Sequence, residues 1–136
     1  MLTTSRTRTL MILVGAAALA AQALVVAQEP TVKRTVLLTQ DLTIPGYQAV
    51  LVEVEIPVGG REGRHMHPGT ILVRVNEGAL TLDYDGKPTV TYKVGESFSV
   101  EPGKVHEGIN RGNTPIKATA TFVVEKGKPL TTQVAK

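Results

Sequence analysis

The sequence has no cysteine among its 136 residues. That absence excludes a disulfide framework, a lipid-modified cysteine, a thiol nucleophile and any thiolate metal site. A strong charge of one sign is missing too, since 15 Lys and Arg stand against 12 Asp and Glu. Two of those cations, Arg6 and Arg8, lie near the N-terminus; without residues 1–27 the balance is 13 to 12, or +1. Nucleic-acid binding through bulk charge is therefore excluded. After residue 27 no stretch shows the apolar stripe of a helix, so there is no helix for a glycine-rich phosphate loop to precede. No repeat, low-complexity tract or linker divides the chain.

Residues 1–27 have a basic start without acids, a continuous apolar run from Leu10 to Ala27, and small side chains at Val25 and Ala27. This is the pattern of a secretory signal cut before Gln28. An uncleaved anchor is the alternative, because the run is just long enough to cross a bilayer. Its alanine content and Gln22 favour cleavage. The expected product is an exported domain of residues 28–136, periplasmic or secreted and without stable membrane insertion. It must fold on its own packed core.

Alternation dominates that domain. Val50, Val52, Val54 and Ile56 share one face of an extended segment, with Leu51, Glu53 and Glu55 on the solvent side. The same period of two marks Leu80-Leu82-Tyr84, Val90-Tyr92-Val94 and Ala118-Ala120-Phe122-Val124, and only a strand displays it. Asp85-Gly86 suits a hairpin. Breakers at Pro45-Gly46, Pro57–Gly60, Pro68-Gly69, Pro102-Gly103 and Gly112–Pro115 recur at short intervals. The fold class is all-β, a sandwich or barrel. Residues 28–34 are expected to be frayed or paired with another subunit, and residues 126–136 to form a loosely held tail.

The sequence holds three histidines, His65, His67 and His106. On an extended backbone His65 and His67 point to one face with Met66 opposite. Two such imidazoles make half of a site for zinc, copper, iron or nickel. From spacing alone the pair reads equally as an idle surface His-x-His. His106 follows the turn Pro102-Gly103 and can approach from another strand.

Gly59-x5-His65-x-His67 with the run to Gly78 resembles the first conserved motif of the cupins. Gly95-x7-Gly103-x2-His106-x3-Asn110 resembles the second. The resemblance, over residues 59–78 and 95–110, implies a single cupin-type jelly-roll β-barrel with a metal on its inner face. It carries His65, His67 and His106 over as ligands of one divalent transition metal: iron, zinc, copper, nickel or manganese. Two positions depart from the family pattern. Ile71 stands where the first motif has a glutamate, and Glu101 stands where the second has proline. The turn Pro102-Gly103 separates Glu101 from His106, so Glu101 is not expected to replace the lost ligand.

Three neutral imidazoles leave the full +2 charge on a divalent ion. Such a site should hold hard cations such as manganese less well and attract anions more strongly. Pocket candidates on parity are Ile71, Val73, Phe98 and Phe122, with Ile71, Val73 and Val75 on the same wall as His65 and His67. Glu107 should point away from His106. Tyr47, Tyr84 and Tyr92 are expected to pack, and without cysteine the thioether-linked tyrosine of some thiol-oxidising cupins cannot form. The resemblance implies a small-molecule ligand and two roles: a metal-dependent dioxygenase-type oxidoreductase acting on a small anionic or chelating substrate, or a non-catalytic binding module. A homodimer through edge strands is also expected.

Overall fold

The computed structural model describes residues 30–135, so the expected leader at 1–27 lies outside the described residues. Among the described residues every regular element is a strand. In chain order these are β1 (Lys33–Asp41), β2 (Tyr47–Ile56), β3 (His65–Met66), β4 (Thr70–Glu77), β5 (Ala79–Tyr84), β6 (Val90–Lys93), β7 (Ser97–Val100), β8 (His106–Ile109), β9 (Ile116–Glu125) and β10 (Thr132–Gln133). They form two five-stranded antiparallel sheets, ordered β1-β2-β9-β4-β7 and β10-β3-β8-β5-β6.

The alternation read from the sequence sets which side chains meet between the sheets. Register aligns Val50, Phe122, Ile71 and Val100 in one row across the first sheet, and Val52, Ala120, Val73 and Phe98 in the next. All face inward, and all but Val73 and Phe98 are buried. The opposite sheet contributes Leu80, Leu82 and Tyr84. The middle of the interior is lined by small residues, Ala118 and Ala120 on β9 and Gly108 on β8, which leave space unfilled.

Four local expectations need correction. Ile71, Val73 and Val75 do not share a wall with His65 and His67, because the chain changes sheet at Pro68-Gly69. The histidines belong to the second sheet and Ile71 to the first, so they face one another. Gly69 allows this crossover, since a methyl group there would collide with the Val123 carbonyl. The segment after Lys126 is not a loose tail: β10 pairs with β3 at Thr132↔Met66 and Gln133↔His65, and the Val134 amide donates to the Arg64 carbonyl at 2.9 Å. Without it β3 would have an open edge. Val90 on β6 and Val94 just after it are 43% and 60% exposed, so Tyr92 alone of that alternating set packs inward.

At the other end of the first sheet, Lys33 and Arg34 begin a paired strand rather than a frayed end. All of β1 is exposed, including Val36, Leu37 and Leu38 at 52–58%.

Candidate metal centre

His65 on β3 and His106 on β8 are direct cross-strand partners, which places their rings side by side. His67, two residues beyond His65, returns to the same face. The ring centroids stand 4.8 Å apart for His65 and His67, 4.3 Å for His65 and His106, and 4.9 Å for His67 and His106. All three are buried, and one nitrogen of each ring lies within 4.8 Å of the others.

Hydrogen bonding decides which nitrogens these are. His65 Nδ1 lies 2.7 Å from the Gly63 carbonyl, His67 Nδ1 2.8 Å from the Leu130 carbonyl, and His106 Nδ1 3.0 Å from the Lys104 carbonyl. A carbonyl oxygen only accepts, so each Nδ1 carries the proton and each Nε2 is left with its lone pair. Backbone carbonyls fix imidazole tautomers in this way at metal sites. The Leu130 carbonyl comes from the segment just before β10, so the C-terminus helps to orient His67. Burial, the repulsion of the other two rings and the nearby Arg34 outweigh the bond to Leu130 and lower His67 from 6.5 to about 4. Burial, with the field of His65, likewise lowers His106 despite its bond to Lys104 and the nearby Glu62 charge. Both rings are neutral at pH 7, as ligation requires.

The residues fit a transition-metal ion. Tetrahedral nitrogen ligands about 2.0–2.1 Å from zinc stand roughly 3.3 Å apart, so nitrogens up to 4.8 Å apart must close by up to about 1.5 Å. Such a contraction falls within the reach of small side-chain rotations.

The three rings border a cavity of about 40 Å³, walled by Ile71, Val73, Phe98 and Phe122 among others. The four pocket candidates thus come together, and Phe122 meets the His67 ring edge-on at 5.1 Å. No tyrosine borders the cavity. Tyr47 donates to Glu125 at 3.2 Å, Tyr84 is buried, and the Tyr92 ring lies tilted against Phe98 at 4.6 Å. Glu101 is exposed and faces Lys87 at 3.8 Å, away from the site.

Glu107 points out of the cavity as expected, yet it is buried. It takes a two-pronged ion pair from Arg61 and accepts the Gly63 amide at 3.0 Å. That pair holds its carboxyl below the usual carboxylate range. It pins the loop at 57–64 against β8 from outside, just ahead of His65.

Two charged residues of the cavity are not found by strand parity: Arg34 and Glu62. Glu62 precedes His65 by three, so an unbroken strand would turn it to the opposite face. Gly63, with φ of 75°, breaks that alternation and returns Glu62 inward. Gly63 in the run Arg-Glu-Gly-Arg is the only sequence signal of this, and a weak one.

Residues 52–124 match the cupin domain model. The chain is a cupin. No curated protein matches it. Its fold is similar to that of an uncharacterized conserved protein with a double-stranded β-helix domain from Klebsiella pneumoniae, at 22% identity, with 79% of this cupin and 86% of that chain covered and a TM-score of 0.61. It is also similar to the DMSP lyase DddQ from Ruegeria pomeroyi, at 16% identity, 63% and 43% coverage and a TM-score of 0.58. An oxalate oxidase in complex with the substrate analogue glycolate gives 22% identity, 63% and 46% coverage and a TM-score of 0.57. This cupin thus spans less than half of either enzyme chain, and at these identities the likeness is one of fold. Among the described residues of the cupin no helix is long and apolar enough to cross a membrane.

Proposed function

We propose that this cupin is exported and binds one divalent transition metal through His65, His67 and His106, where it acts on a small anionic or chelating substrate as a dioxygenase-type oxidoreductase. The observation that carries this reading is the arrangement of three Nδ1 protons held by carbonyls, with three Nε2 lone pairs left beside a cavity. A bound ion would supply Lewis acidity and open coordination positions. The protein supplies the rest. Ile71, Val73, Phe98 and Phe122 exclude water and so strengthen every charge interaction inside. Arg34 offers a cation to an anionic group.

Cavity size limits the substrate. One water needs about 10–15 Å³, so a cavity of about 40 Å³ holds roughly three. That suits a head group no larger than a small carboxylate. The oxalate oxidase that shares the fold holds glycolate, a molecule of that size. The same tightness favours the second reading, a module that binds without turnover. The test loads the protein in turn with iron, copper, nickel and manganese. Oxygen uptake is then followed with oxalate, glycolate, a β-diketone, a flavonol and a thiol. Turnover abolished by His106→Ala supports the enzyme; inertness with every metal leaves the binding module.

A homodimer through β1 belongs to this proposal. That edge presents unpaired backbone together with Val36, Leu37 and Leu38, a pattern that invites pairing with a second copy.

A further inference from the structure

We infer that Glu62 is the carboxylate ligand of this metal centre, delivered from the loop before β3 instead of from β4. The inference rests on the three-histidine reading. Position 71, where the resemblance leads one to expect a carboxylate, holds a buried isoleucine in the apolar wall. The cavity nevertheless contains a carboxylate. Glu62 borders it with a side chain 13% exposed, and its Oε2 lies 4.0 Å from His65 Nε2.

The seat of this carboxylate is shaped for it. Oε2 accepts the Gly108 amide at 3.1 Å, while the Glu62 amide donates to the Gly108 carbonyl at 3.0 Å. A Cβ at position 108 would stand 2.5 Å from Oε2, so glycine there leaves room for the carboxylate in this position. Outside the loop, the Glu107–Arg61 pair and the Gly63 amide hold the backbone that aims it.

The second oxygen, Oε1, takes a 2.9 Å ion pair from Arg34. The Arg34 side chain is 34% exposed, so water can take over part of that bond. A divalent ion among three neutral rings presents two positive charges in a low-dielectric cavity, against one on Arg34. A bound ion would therefore compete with Arg34 for the Glu62 carboxylate. One carboxylate lowers the net charge of the site to +1 and supplies the hard oxygen that manganese and iron(II) favour. This reverses the expectation from Ile71 that manganese is held less well.

The experiment compares wild type, Glu62→Gln and Arg34→Ala for manganese(II) and zinc(II) dissociation constants. The visible spectrum of the cobalt(II) form and the melting temperature without metal are recorded alongside. Glutamine keeps an acceptor for the Gly108 amide, so the metal-free Glu62→Gln form should melt near wild type. Its manganese affinity should fall at least about tenfold and its zinc affinity less, with a changed cobalt spectrum. Arg34→Ala should bind manganese as tightly as wild type or tighter, because it frees the carboxylate. If glutamine unfolds the loop, Glu62→Asp is read instead, with weakened manganese binding expected. Unaltered manganese affinity and cobalt spectrum in the position-62 variant overturn the inference while leaving the histidine site standing. So does an Arg34→Ala loss equal to that of Glu62→Gln, which would mean that the pair only shapes the cavity. A wild-type protein that binds no metal removes the three-histidine reading and this one with it.

Discussion

Acid should destabilise the metal-free protein well above the pH at which its carboxylates titrate, and His67 sets the size of the effect. Its ring is held at about 4 in the folded chain against an ordinary 6.5, chiefly because burial penalises the charged form. An unfolded chain therefore takes up a proton below about pH 6.5 that the folded one refuses until about pH 4. Stability is complete above the higher value and is lost as pH falls through this window. Integrating between pH 7 and 5 gives a loss of up to about 2 kcal/mol from this residue. For a domain of about 100 residues that is a fall in Tm of roughly 5–15 °C. His106 is lowered by the same cause and adds in the same direction. Glu107 is also lowered, as a carboxylate, so its loss comes below the ordinary carboxylate value of 4.5, outside this interval. The assay is thermal unfolding at pH 7, 6 and 5 with a chelator present, since an ion on Nε2 would itself keep protons away. His67→Gln should give a visibly shallower slope. A Tm that stays flat from pH 7 to 5, or an identical slope in the variant, would refute the burial argument.

Other perturbations follow from the same geometry. Glu107→Ala leaves the Gly63 amide without its acceptor and should cost about 1–3 kcal/mol, read by urea unfolding, with weaker metal binding because the loop before His65 loosens. Gly69→Ala drives a methyl group into the Val123 carbonyl and should cost about 3 kcal/mol or abolish soluble protein, read by expression and circular dichroism. N-terminal sequencing of the protein from a secreting host should begin at Gln28. Light scattering should give a dimer that Leu37→Lys weakens.

The β character was legible because burial between two sheets writes period two directly into Val50–Ile56 and Ala118–Val124. The pairing of His65 with His67 was legible for the same reason, since they share a face at spacing two, whereas the resemblance to the second cupin motif supplied His106 as their partner. What escaped lies where the backbone stops alternating. The crossover at Pro68-Gly69 moves Ile71 to the facing sheet without changing its parity, so the pattern names its inward direction but not its wall. Gly63 at positive φ turns Glu62 into the cavity against parity. The two-residue β10 is too short to carry any period, and its place beside β3 is set by long-range pairing. Arg34 is polar in an otherwise unremarkable strand, and only its bond to Glu62 shows which way it reaches.

Metal analysis of the untagged protein tests the central claim most directly. Purified without chelator and measured by mass spectrometry, wild type should carry close to one equivalent of a divalent transition metal per chain. His65→Ala and His106→Ala, still folded by circular dichroism, should carry almost none. Sub-stoichiometric metal in wild type, left unaltered by both alanine substitutions, would contradict the account.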